Sequence, residues 1–503
     1  MSEQLVSGRQ LDESPIRNEL LQGYLVHRWV CLLCLVAADI AAFAAAATLF
    51  RSGRIVPELL LTPGTLPITG RIDLFFVLGG LFIVISYLAG DYTRRQLFWD
   101  GARFTTTGLL IASAPCVLLL LFAQAGYSAV GIFGSWALVI VAVPAFRQII
   151  RWILSRASIW QLPTALIGDK SHIGEAYAAF RHSLSLGFDV RFLVTLDTPH
   201  QEGETIKGEE ITGATCISLQ EPGNIVQRLS DGGCIQAVVA ANTALFEEHN
   251  MLVQQLLAAG IKVGVIPHLK GVPLIGMSAN YFFGRDLLLL HVRNNLGRLP
   301  SQLIKRLVDL VGSAVLLTVL SPFLIAIACF VKRQDGGRPF FVQPRVGLHG
   351  KEFGCIKFRT MRPDAEETLT RWRHENAPEY REYVASNFKL RNDPRATPIG
   401  RWLRRTSLDE LPQLINVLKG DMSLVGPRPL LAREISSYGE SIKLYKQVRP
   451  GITGLWQITG RSQTRFVDRV TSDDWYIKNW SFWYDIVILI NTIGVLLSRD
   501  GAF

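Results

Sequence analysis

Charge is what this chain has least of. Only 19% of its 503 residues are Asp, Glu, Lys or Arg, 49% are hydrophobic, and the mean hydropathy is +0.25. Water-facing proteins carry about a quarter of their residues as charges. A wholly soluble chain is therefore excluded, and membrane-buried segments are expected. Cysteine is sparse too: seven, odd in number and scattered. They cannot build the disulfide framework of a small secreted domain, so most of the chain is expected in a reducing environment. Cys31 and Cys34 have C-x-x-C spacing, but they sit in an apolar run without further ligands and read as helix residues. A cleavable leader pattern is also missing from residues 1–28, which are polar and mixed in charge and read as a cytoplasmic segment. Acidic residues fall short of basic ones, 42 against 52, leaving a net charge of +10. Such an excess suits nucleic acid, anionic lipid or phosphorylated substrates, and charge alone does not choose.

Apolar sequence is what the chain has in quantity. Four runs open it, at 29–50, 72–89, 108–123 and 130–146. Each is near the roughly 20 residues needed to cross a bilayer. Arg94, Arg95 and Arg103 follow the second run, and Arg147, Arg151 and Arg156 follow the fourth. The loop between the third and fourth has no basic residue. Positive-inside bias then places both ends of a four-span bundle (29–146) in the cytoplasm, with Arg51, Arg54 and Arg71 as the opposing signal. Asp39, inside the first span, is expected to bond a neighbouring helix.

From 160 to 295 the pattern changes to a Rossmann-like α/β domain. Short apolar runs at 164–167, 237–240 and 263–266 read as buried parallel strands. A helix over 245–259 closes at Gly260. After the first run comes Gly168-Asp169-Lys170-Ser171-His172-Ile173-Gly174, where a dinucleotide fold would carry G-x-G-x-x-G. Lys170 and Ile173 occupy the second and third glycine positions, so close approach to a pyrophosphate is lost. A structural or regulatory role is expected in place of NAD binding.

The chemistry lies in residues 301–503. Lys305-Arg306 and Lys332-Arg333 flank an apolar run, and Ser321-Pro322 sits in its middle. A straight span would strand one basic pair outside. Proline breaks a helical bond, and a serine hydroxyl can satisfy the freed carbonyl. A re-entrant membrane helix over 305–333 suits all three facts; a kinked span is the competitor. Beyond it, arginines and lysines alternate with Gly, Pro and aromatic residues: Gln343 to Gly347, Lys357 to Met361, Asn392 to Arg395, Gly400 to Leu414, Gly426 to Pro429 and Pro450 to Gln457. Guanidinium forks held by tight turns suit a diphosphate. Asp409 and Glu410 stand beside Arg404 and Arg405. Ser407 and Glu410 have capping-box spacing, with Pro412 placed awkwardly behind them. The residues alone support either a helix cap or a site whose cations keep an aspartate ionised. The aromatic-rich segment 475–497 reads as an amphipathic helix on the membrane, with a core helix as the competitor.

The motifs KFRTM, RTSLDELPQLINVLKGDMSLVGPRP and RPGITGLWQ break the tie. Residues 301–503 resemble the bacterial sugar transferases, the polyprenyl-phosphate hexose-1-phosphate transferases. The four spans and degenerate Rossmann-like domain resemble the long form of that family, and the C-terminal residues are most similar to its undecaprenyl-phosphate galactose phosphotransferases. The resemblance implies an α/β catalytic domain on the cytoplasmic face of the bacterial inner membrane. It implies transfer of hexose 1-phosphate, galactose before glucose, from a UDP-sugar to undecaprenyl phosphate, beginning O-antigen, capsule or exopolysaccharide synthesis. Asp409 would form a phosphosugar intermediate and Glu410 would hold Mg²⁺. Lys357, Arg359, Arg404 and Arg428 would grip phosphate, and Ser321-Pro322 would break the helix. Membrane lipid is an implied partner and nucleic acid is not; a homodimer is left open. A membrane nucleotide-sugar dehydratase would share the front half but needs a Tyr-x-x-x-Lys pair, and no tyrosine here has a lysine four residues on. A non-enzymatic scaffold would leave the Asp-Glu and arginine set unexplained.

Overall fold

The computed structural model describes residues 15–51, 68–122, 129–181, 183, 185–196, 205–206, 209–210, 213–218, 225–240, 250–267, 269, 271–281, 288–292, 295–296, 299–385, 390, 393–459 and 466–498. The chain divides into two units, Met1–Leu269 and Lys270–Phe503. The expected third-to-fourth loop and the last five residues lie outside the described residues.

The first unit opens with helices Pro15–Arg51, Ile68–Leu88, Phe98–Phe122 and Ala129–Arg156. They are apolar around much of their circumference, leaving Leu33, Val77, Ile85, Ile111 and Val141 exposed. That is how helices facing lipid look. Among the described residues of this unit, Val26–Leu49 and Gly131–Arg156 are long and apolar enough to cross a membrane, and Leu74–Leu88 is a shorter apolar helix. Asp39 does bond a neighbouring helix. Arg147 donates to it at 2.7 and 2.9 Å, the Tyr92 hydroxyl donates at 2.6 Å, and Arg147 also pairs with Asp91. A buried charge persists only when it is paired and hydrogen-bonded in this way.

A five-stranded parallel sheet comes next in the chain: β1 (Leu162–Gly168), β2 (Phe188–Thr195), β3 (Thr215–Ser218), β4 (Gln236–Ala240) and β5 (Lys262–Val265). Its order is β3-β2-β1-β4-β5. The runs expected as strands form β1, β4 and β5, and Gly260 has the positive φ of 72° that ends the preceding helix. At the end of β1 the Asp169 carboxylate accepts the His172 N–H at 3.0 Å. A carboxylate thus occupies the helix N-terminus that a pyrophosphate would need.

The unit boundary falls well before residue 295, the end of the α/β domain expected from sequence. Asn479 Oδ1 accepts from the backbone N–H groups of Leu274 and Ile275, at 2.6 and 3.1 Å. Asn295 donates to the carbonyls of Ile275 and Trp480. Residues 271–296, with the strand pair Ser278–Tyr281 and Leu288–His291, are therefore bonded to the C-terminal unit. A partner nearly two hundred positions away has no local signal.

In the second unit the helix break expected at Ser321-Pro322 does not form, and one helix, Leu299–Asp335, runs through both residues. Pro322 cannot donate to the Thr318 carbonyl, and the Ser321 hydroxyl takes that place at 2.8 Å. Asp309, Ser313, Ile327 and Val331 are buried, whereas Leu303, Leu307, Val315, Val319, Ile325 and Phe330 are exposed. Both ends are bonded to the same unit: Lys305 pairs with Asp485 at 2.7 Å, and Asp335 pairs with Arg359.

An antiparallel hairpin, Phe340–Val346 with Glu352–Phe358, packs on helix Gln413–Lys419. Cys355, Leu414, Val417, Met422, Leu424, Tyr476 and Trp480 form the core between them. The 475–497 segment is two helices, Phe466–Lys478 and Phe482–Ser498. The expected interfacial aromatics Tyr476 and Trp480 are core residues because both donate to Asp485 inside it, while Ile490, Ile493 and Leu497 keep an exposed apolar stripe. Asn416 locks hairpin to helix, accepting from Ile356 N–H at 3.0 Å and donating to Gly354 O at 2.8 Å. Asn416→Ala strands both backbone groups and is expected to cost about 2 kcal/mol. Thermal unfolding in detergent should show Tm lowered by about 4–8 °C; an unchanged Tm would remove Asn416 from this role.

Candidate active site

Asp409 and Glu410 stand on a single 3-10 turn, Leu408–Glu410. The capping box does not form. Ser407 is left-handed (φ 55°) and its side chain caps nothing, and the helix starts only at Gln413, behind Pro412. Proline prevents the helix from reaching back to Ser407. Glu410 instead receives the Lys357 ammonium at 2.6 Å.

The five residues Lys357 to Met361 divide their work. Lys357 faces Glu410, and Phe358 packs with Ile327, Val331 and Leu403. Arg359 turns to Asp335 and does not join the carboxylates. Thr360 accepts Arg404 Nε at 2.9 Å, aiming that guanidinium. Helix Pro398–Arg405 comes this close because Gly400 has no Cβ; one would lie 2.0 Å from the Thr360 carbonyl. Thr397 begins that helix by accepting the Gly400 N–H at 2.9 Å.

The sequence suggests cations that keep an aspartate ionised, and in the structure the two acids meet those cations unequally. Burial and the charge of Glu410 push Asp409 up to about 6, against the pull of Lys357 and Arg404. Burial would raise Glu410 as well, but the charges of Lys357 and Arg428 override it and hold that carboxyl down at about 2. The cations thus favour the ionised form of Glu410, while burial and its neighbour's charge work against that of Asp409.

Glu410, with Asp409 beside it on the turn, borders a shallow cleft lined by Arg345, Lys357, Gln413, Arg428 and Gln457, with Cys355, Pro429, Gly451 and Ile452. Three cations on its wall suit an anionic group such as a phosphate. Lys357, Arg404 and Arg428 are thus brought around the carboxylates. Arg345 lies within a sequence motif that does not mark it as a site residue. Its signal is period-two alternation: it shares a hairpin face with Cys355 and Lys357. Its Nε is buried without a partner, and burial beside Arg428 lowers its pKa. Gln413 and Gln457 carry no such signal. Among the described residues, no group of three His, Cys, Asp or Glu gathers as a metal cage.

These features define a membrane-associated enzyme that handles a phosphorylated substrate. The bacterial sugar transferase profile matches residues 300–499. Over 413 residues the chain is 35% identical to the undecaprenyl-phosphate galactose phosphotransferase of Salmonella typhimurium, covering 82% of this chain and 84% of that one. It is 36% identical, with the same coverage, to the UDP-galactose-lipid carrier transferase of Erwinia amylovora. A third relative, the UDP-glucose:undecaprenyl-phosphate glucose-1-phosphate transferase of Caulobacter vibrioides, is 39% identical over 43% of this chain and 79% of its own. The chain belongs to the bacterial sugar transferase family.

The arrangement predicts which cations bind anions. Arg428→Ala should weaken pyrophosphate binding about tenfold or more, the size of a lost charge-assisted contact. Arg359→Ala, its side chain committed to Asp335, should change it by less than about twofold. Calorimetry at fixed salt makes the comparison, and equal losses would contradict the geometry.

Proposed function

We propose that this enzyme transfers hexose 1-phosphate from a UDP-sugar to undecaprenyl phosphate, with galactose 1-phosphate favoured and glucose 1-phosphate next. One juxtaposition carries the reading: Asp409 and Glu410 stand on one turn at a cleft lined by Arg345, Lys357 and Arg428, and Lys357 takes Glu410 at 2.6 Å, so the attack is assigned to Asp409. The Asp409 carboxylate attacks the sugar-bearing phosphorus, the bond to the bridging oxygen breaks, and UMP leaves. A phosphate oxygen of the lipid then attacks the same phosphorus, freeing the carboxylate and giving the polyprenyl diphosphosugar. Lys357, Arg404, Arg428 and Arg345 hold phosphate oxygens and neutralise charge as it develops. Glu410, ionised at the cleft wall, would hold Mg²⁺, which binds one or two carboxylates together with substrate phosphates and supplies charge neutralisation. The names of the Salmonella, Erwinia and Caulobacter relatives support the donor and acceptor classes.

The same reading covers the architecture. Four apolar helices form a four-span bundle, and the strand order, third-second-first-fourth-fifth along the chain, supports a Rossmann-like sheet. With Asp169 at its helix start, that domain takes a structural or regulatory part. The Leu299–Asp335 helix enters and leaves the cytoplasmic face of the inner membrane, with the 301–503 domain beside it. Support comes from the basic pairs Lys305-Arg306 and Lys332-Arg333 near its two ends, both of which favour the cytoplasm. The product begins an O-antigen, capsule or exopolysaccharide.

Full-length enzyme in nanodiscs, given labelled UDP-galactose and undecaprenyl phosphate, should release UMP. Asp409→Asn should abolish both turnover and the phosphosugar adduct seen by intact mass spectrometry; near-normal turnover would end the two-step route. Topology has its own check. Single cysteines at Ser301 and Gln334, in a background without native cysteine, should both resist an impermeant thiol reagent in intact cells and both label after permeabilisation. Labelling of either from outside would establish a kinked span.

A further inference from the structure

Lys305 and Asp309 lie one turn apart on the Leu299–Asp335 helix, and neither lines the cleft. Their bonds converge on one short strand, Ser423–Val425. Asp309 Oδ1 accepts from Leu424 N–H at 2.9 Å and from the Ser423 hydroxyl at 3.0 Å. One turn earlier, Lys305 Nζ donates to Val425 O at 3.0 Å. Three successive residues of the strand are thus gripped by two residues of the helix, and Leu424 also lies against Gly312, where an added Cβ would come within 2.8 Å.

The strand runs directly into Gly426-Pro427-Arg428. It belongs to a two-stranded sheet with Gly451–Thr453, and a pair this short does not hold its own register. The turn at Gly426 is packed without slack. A Cβ there would lie 2.6 Å from Arg449 O and 2.9 Å from Gly451 N, and Gly451 lines the cleft. A slip of the strand would therefore move Arg428 relative to Glu410. We infer that Asp309 and Lys305 are positioning residues: the membrane helix sets the register of Ser423–Val425 and so places the Arg428 guanidinium in the cleft. The inference rests on the proposed reading of Arg428 as a phosphate ligand.

A residue that acts through Arg428 should matter less once Arg428 is altered, whereas one that only supports folding costs the same in any background. The test uses full-length protein in nanodiscs and Asp309→Leu, which removes the acceptor, beside Asp309→Asn, which retains one. Each is made alone and with Arg428→Lys, and Tm is recorded throughout. Asp309→Leu should lower kcat/KM for the UDP-sugar about tenfold, mostly through KM, and Asp309→Asn should stay within about twofold. In the Arg428→Lys background the Asp309→Leu loss should shrink to less than about twofold. Equal losses in both backgrounds, or none in either, overturn the inference. If Asp309→Leu does not fold, Lys305→Met takes its place in the same cycle. Pyrophosphate affinity is measured on every variant and needs no turnover. Wild type that binds pyrophosphate but releases no UMP would therefore refute the proposed function, while the binding cycle still decides the positioning role.

Discussion

Two carboxylates on one turn repel each other, and this site is arranged around that repulsion. Unit charges ~5 Å apart at an effective dielectric of ~20 oppose each other by about 3 kcal/mol. Both acids can stay in a buried place only if cations surround them unequally. Lys357 goes to Glu410 at 2.6 Å, and Arg428 and Arg345 lie on the same side. Arg404, aimed by Thr360, is left to Asp409. Proton affinity divides accordingly. One turn thus presents two carboxylates in unlike surroundings, the kind of asymmetry found where ionisable groups are put to use.

Delivering those cations accounts for much of the second unit. Strand alternation turns Arg345, Cys355 and Lys357 to one face of the hairpin and Phe358 to the other. Asn416 fixes the hairpin to the helix after the carboxylates. The left-handed Ser407 and the helix-stopping Pro412 then present Asp409 and Glu410 as a short turn at the cleft edge and keep them out of a helix. Had the capping box closed, Glu410 would have been bonded to Ser407 backbone and Lys357 left without its anion.

Legibility from sequence tracks the range of the interaction. The serine hydroxyl that takes the freed carbonyl beside Pro322 is readable because the two lie within four residues. The strands at 164–167, 237–240 and 263–266 are readable from apolar runs, and the gathering of Lys357, Arg404 and Arg428 near the carboxylates from the motifs that carry them. Arg359 is not. It shares the KFRTM motif with Lys357, and only the end of a helix more than twenty residues upstream shows that its charge is claimed by Asp335. The early unit boundary, held by Asn479, and the burial of Tyr476 and Trp480 around Asp485 are hidden for the same reason. Composition shows an aromatic segment; it does not show which hydroxyl and indole N–H will find a buried carboxylate.

The long helix is apolar enough to lie in a membrane, and its Lys305 and Asp309 hold the strand that leads to Arg428. Its exposed side chains are apolar, so lipid is the solvent they fit, while its buried face carries the polar residues that hold the phosphate-side strand. For the proposed reaction this solves a geometric problem. The acceptor phosphate is confined to the depth of lipid headgroups, and the donor arrives from water, so the attacked phosphorus must be held at a fixed height. Reacting atoms must approach within about 3–3.5 Å, and small displacements cost large factors in rate. A cleft whose arginine is referenced to the membrane helix itself has its height set by the bilayer, without a separate docking element to hold it there.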